Sequence, residues 1–262
     1  MSDPSSVPAL PLFYAQPALL DPSRCGAWRL VPGDLGFAAA TPSVPLMASE
    51  FLAAARSYPI VFAAGDLAPV AVMGLQTENL FVDGGAWAED VYMPAYMRRY
   101  PFVLIESPDK QSFALGIDAA SDRVAHDGDA GAALFENGQP SELTRQALEF
   151  CGLFSNDHRR TRAFTEALGE AGVLVDRRAD IALPDGRKLG LDGFKVIDPQ
   201  ALLALPDETV LAWHKSGWLA LAHAHLASLD LFQALLQRQA RRLAKASSKG
   251  DIEAAEPAPV LQ

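Results

Sequence analysis

From Thr41 onward, apolar and polar positions recur in one order: a short helical stretch, a proline, then two apolar runs separated by a polar turn. In "TPSVPLMASEFLAAARSYPIVFAAGDLAPVAVMGL" the alanine-rich spacing predicts a helix over about 46–56, with Ser49 and Glu50 in its early turns. Pro59 ends it, because proline pushes the residue before it, Tyr58, out of the helical region. The two apolar runs that follow, joined by Gly65-Asp66, predict a β-hairpin. "PAYMRRYPFVLIESPDKQSFALGID" repeats the order with Pro101 as the stop and "SPDKQ" as the turn. A third copy predicts a helix over 156–174, then "ADIALPDGRKLGLDGFKVID" as strand, "PDG" turn and strand.

The remainder is helical. "DPQALLALPDETVLAWHKSG" predicts two short helices, the second capped by Asp207 and stopped at Gly217. "WLALAHAHLASLDLFQALLQRQARRLAK" predicts one long helix with Trp218, Leu221, Ala222, His225, Leu229, Phe232 and Leu236 on one face. The expected fold is therefore α+β: helix–hairpin units feeding one antiparallel or mixed sheet, and a helical C-terminal third over 199–246. Residues 1–40 predict an irregular arm docked through "LPLFY" and "WRLVP". Residues 41–246 predict one domain, and 247–262 a disordered tail.

Charge and composition narrow the function classes. Half of the 262 residues are apolar, enough for a substantial core, and the net charge is −10. Such a surface repels nucleic acid, and the one basic patch, "QRQARRLAK" (237–245), is short. Two cysteines, Cys25 and Cys151, are too few for a disulfide framework. No run of 18 apolar residues predicts a membrane span. The opening segment carries four prolines in "MSDPSSVPALPLFYAQP" and lacks the basic start of a secretory signal, so a cytoplasmic location is expected.

Candidate chemistry is sparse. His223 and His225 would chelate a metal on a strand, but on a helix they point about 200° apart, so no metal is expected. "DGDAGAALFENG" (127–138) lacks the ligand order of a calcium loop, and Asp83-Gly84-Gly85 is turn chemistry. The binding-like positions are Tyr96, Arg98, Arg99 and Tyr100, where two guanidiniums among aromatics suit an anion, and Trp213, His214, Trp218 and His223 in the helical third. No cofactor is implied, and no residue is singled out as catalytic.

Several separated blocks resemble the SapC family of bacterial proteins: "PLFYAQPALLD", "VPLMASEFLAAARSYPIVFA", "NLFVDGGAWAEDVYMPAYMRRYPFVLI" and "GFKVIDPQALLALPDETVLAWHKSGWLALAHAHLASL". The resemblance runs from about residue 11 to 236. It implies an accessory role in a surface-layer or outer-membrane nutrient-uptake system, with a protein or peptide as partner and a homo-oligomer left open. Two alternatives stand beside it: an enzyme modifying a peptide or amino acid with neighbouring gene products, and a structural surface-layer component.

Overall fold

The computed structural model describes residues 10–106, 113–182 and 188–254. The turns expected at "SPDKQ" and "PDG", and the end of the expected tail after Ala254, lie outside the described residues. The chain forms two compact units, each built from two separated stretches.

Unit 1 is formed by the described residues within 1–38 and 93–160. Its main sheet is antiparallel, with Phe113–Asp118 between Pro17–Leu19 and Phe102–Glu106. The N-terminal arm thus supplies an edge strand. A second small sheet places Arg29–Leu30 between Val124–Ala125 and Ala132–Ala133. Phe102, Leu115, Ile117, Leu134, Cys25 and Cys151 share one apolar cluster.

Unit 2 is formed by the described residues within 39–92 and 161–262. Its five-stranded antiparallel sheet runs Leu174–Ala182, Lys188–Ile197, Ile60–Ala63, Pro69–Val72, Ser43–Pro45. Phe51, Tyr58, Ile60, Phe62, Phe164, Leu168 and Ile197 are fully buried in this unit. The α+β expectation holds, with a correction: the three helix–hairpin copies do not feed one sheet. The first and third share the five-stranded sheet, and the second builds the three-stranded sheet of unit 1.

Two helices differ from expectation. The helix placed at 156–174 runs over Glu142–Glu170. Ser141 caps it, its Oγ accepting from the Thr144 N–H at 3.3 Å. Asn156 and Asp157 resemble a start signal but lie mid-helix, where Asn156 accepts from Arg159 one turn on. The long closing helix is two, Trp218–Ser228 and Leu231–Ala254, bent by about 40°. The Ser228 hydroxyl donates to the His225 carbonyl at 2.6 Å, a side-chain bond that competes with the helical ladder. Three-residue bonds Phe232→Leu229 and Gln233→Asp230 then tighten the corner. Asp207 proves to be the first helical residue, with Pro206 in the capping position. Gly217 does stop that helix, at φ 79°.

Candidate functional site

Tyr96, Arg98, Arg99 and Tyr100 sit in unit 1, the first two on a single helical turn, Ala95–Arg98, Arg99 in its C-cap position and Tyr100 just after it. Pro94 precedes the turn, and Pro101 follows through a cis Tyr100–Pro101 bond. Three of the four residues turn inward. The Arg99 guanidinium lies over the Phe154 ring at 4.3 Å, Tyr96 at 4.4 Å and Tyr14 at 5.8 Å. Tyr96 donates to the Leu12 carbonyl, and Tyr100 to the Asp118 carboxylate at 3.0 Å. Burial pushes the phenols of Tyr14, Tyr96 and Tyr100 above their ordinary range, with Arg99 opposing at the first two. They are neutral donors, and the stretch joins the N-terminal arm to its unit. Burial also pushes the Cys151 thiol up to about 11, Arg99 pulling the other way, so it is an inert packing group. Arg98 alone is exposed; it donates to the Met93 carbonyl and lies 5.3 Å from the Phe150 ring.

The second set is in unit 2 and does not form a cluster of four. Trp213 is buried, edge-on to the half-buried Trp218 at 6.2 Å, and Trp218 reaches Phe164. His214 and His223 are exposed. Their neighbour His225 is fully buried and does structural work. Lys188–Ile197 and Ile60–Ala63 pair only at Phe194–Ala63 and Lys195–Phe62, then part. The two N–H groups left over are taken up by the helix above them. His225 Nε2 accepts from Ile197 and Ser228 Oγ from Ile60, each at 3.0 Å. Burial pushes the His225 pKa down to about 4, the Ile60 backbone opposing. Among the described residues, no three His, Cys, Asp or Glu side chains gather into a metal-binding group.

Two clefts stand out, and none of the eight candidate residues lines either. In unit 1, Leu104, Phe113, Leu148, Gly152, Ser155, Asn156 and Arg159 border about 310 Å³ of open, largely apolar space. In unit 2, a cleft of about 340 Å³ lies between the closing helix and a small hairpin. The hairpin pairs Val82–Asp83 with Ala86–Trp87. Its two central residues, Gly84 and Gly85, both have positive φ (57° and 79°), a tight turn that glycine enters without strain.

This second cleft gathers four cations in a chain of net charge −10. Arg238, Arg241, Arg242 and Lys245 recur at i, i+3, i+4 and i+7, one face of the helix, and all four line the cleft with Phe81 and Trp87. Arg238 donates to the Leu80 carbonyl at 3.3 Å and lies 4.3 Å over Phe81. Arg242 donates to the Val82 carbonyl at 2.9 Å and pairs with Glu78 at 3.4 Å. Lys245 pairs with Asp83 at 2.9 Å. The Trp87 indole N–H is engaged with the Val91 carbonyl, so the ring surface is what it offers to a ligand. Burial and the adjacent Arg241 and Arg242 charges hold the Arg238 pKa below its usual value. Both halves of this site were visible as sequence, "QRQARRLAK" and "NLFVDGGAW", about 150 residues apart. The i, i+3, i+4, i+7 spacing was the available signal. What no spacing discloses is that the helix lies against that hairpin.

A family model, SapC, matches residues 20–235. No curated protein and no solved structure matches the chain.

Proposed function

The chain belongs to the SapC family, and from that premise we propose a non-catalytic binding role in the cytoplasm: the unit 2 cleft takes an acidic segment of a protein or peptide partner. The role is that of an accessory to a surface-layer or outer-membrane uptake system, as the family resemblance implies. One observation carries the reading. A protein of net charge −10 gathers four cations on one helix face, against aromatic Phe81 and Trp87. Like charges at helical spacing destabilise a free helix by a few tenths of a kcal/mol per pair. An acidic partner relieves that repulsion, and its apolar side chains find a wall in Trp87.

The test is fluorescence anisotropy with a labelled Glu/Asp-rich peptide containing one tyrosine. Binding is expected at low salt, weakening by about tenfold or more at high salt as screening sets in. It should vanish in the double variant R241E/K245E, whose side chains are exposed. Absence of binding, or binding that survives the double variant, sinks the proposal. Fractionation of native cells tests the location: recovery outside the cytosol contradicts it.

A further inference from the structure

Resting on that reading, we infer that the anion the cleft is built for is a dianion: a phosphate monoester on a flat ring, carried on the partner segment. The balance of charge in the cleft carries this assignment. Four cations line the cleft. Two are compensated from within, Arg242 by Glu78 and Lys245 by Asp83. Arg238 is satisfied by a backbone carbonyl and an aromatic face, neither of which cancels a charge. Arg241 is exposed on the same face. Among the described residues, neither Arg238 nor Arg241 has a carboxylate in ion-pair range. Two positive charges therefore remain over one cleft. A single carboxylate supplies one negative charge; a phosphate monoester supplies about −1.5 to −2 at pH 7 and three acceptor oxygens. Guanidinium forks match those oxygens two at a time, and an arginine pair one helical turn apart can grip one phosphate from two sides.

The aromatic half of the cleft fixes what the phosphate is attached to. Trp87 is half-buried and its polar atom is engaged, so it adds contact surface and no charge. A ring bearing the phosphate can lie against it while the oxygens reach the arginines. An aliphatic phosphate leaves that wall uncovered.

The experiment is calorimetry on the full chain with three peptides of one acidic sequence, differing at a single residue: tyrosine, sulfotyrosine and phosphotyrosine. Sulfate ester is a monoanion of nearly the same shape, so the comparison isolates the second charge. A fourth titration uses phenyl phosphate alone. The expected result is phosphotyrosine peptide at least about tenfold tighter than sulfotyrosine peptide, with R241Q removing most of that advantage and leaving the thermal unfolding curve unchanged. Equal binding of the two esters overturns the dianion inference while leaving the acidic-segment reading intact. Equal affinity for phenyl phosphate and for the phosphopeptide keeps the dianion and overturns its peptide source. No binding by any of the four defeats both the inference and the reading on which it rests. An R241Q variant that retains the phosphate preference overturns the assignment to this cleft.

Discussion

At the scale of single residues, the most informative side chains are His225 and Asp118. His225 accepts the Ile197 N–H through Nε2 and is held largely neutral by burial, its pKa down at about 4. The unfolded chain binds a proton near pH 6.5, so the folded state loses stability as pH falls from 6.5 towards 4 and keeps it fully above that window. The difference amounts to at most about 3 kcal/mol at the acid end, at 1.36 kcal/mol per pH unit. His225→Leu should lower stability at pH 7 by about 1–3 kcal/mol, because a buried N–H loses its acceptor. It should also flatten the loss between pH 6.5 and 4. His225→Gln keeps an acceptor that does not titrate, and should flatten the profile at a smaller cost. Urea unfolding across pH checks this, and variant curves parallel to wild type refute it. Asp118 is the counterpart in unit 1: almost wholly buried, it accepts the N–H groups of Ala15 and Gln16 and the Tyr100 hydroxyl. Asp118→Ala strands three donors and should cost about 2–4 kcal/mol, with proteolysis near residue 15 accelerating first. The packing of His225 was legible from its place on the apolar face of the helix, as a buried histidine with one hydrogen bond; the strand it serves, and the role of Asp118, were not. The "HAH" spacing correctly separates the two imidazoles around a helix, but which of them meets a strand N–H depends on strands that part after Phe62 and Lys195. The Tyr96–Tyr100 stretch was legible as aromatic and cationic. Its inward orientation was not, because the rings that enclose Arg99, Tyr14 and Phe154, come from distant stretches of chain.

At the scale of elements, local punctuation proved readable and pairing did not. Pro59 and Pro101 both separate a helical turn from a strand, as proline chemistry dictates. Nothing local says that Ile60–Ala63 joins the five-stranded sheet while Phe102–Glu106 joins another, since a strand's partner is set by residues far away in sequence. The helix starting at Glu142 shows the converse error: Asn156 and Asp157 are good caps by type, yet an uninterrupted ladder absorbs them. Gly217 is the clearest agreement between the two levels. It ends Asp207–Ser216, its N–H reaching the His214 carbonyl at 3.1 Å, and opens Trp218–Ser228 from the same left-handed backbone. A Cβ there meets nothing within 4 Å, so the cost of Gly217→Ala is conformational alone, about 1–2 kcal/mol. Gly217→Asn, which tolerates the left-handed region, should recover part of it. A thermal melt of both variants decides: an alanine variant as stable as wild type would mean the corner has another geometry in solution.

At the scale of the whole molecule, the governing contrast is between a net charge of −10 and one cleft with two uncompensated cations. A Debye length of about 8 Å at physiological salt confines the attraction to the cleft and its rim. A short anionic segment fits inside that range. A long polyanion does not, because every phosphate beyond the rim faces an acidic surface and gains no counterion release there. Duplex DNA should therefore fail to displace a bound acidic peptide at physiological salt, although it carries far more charge. The salt slope for peptide binding should correspond to about two neutralised charges, in keeping with Arg238 and Arg241. Competition anisotropy measures both quantities. Efficient displacement by DNA, or a slope several times steeper, would mean that the cationic face extends well beyond these residues and that the cleft does not limit what binds.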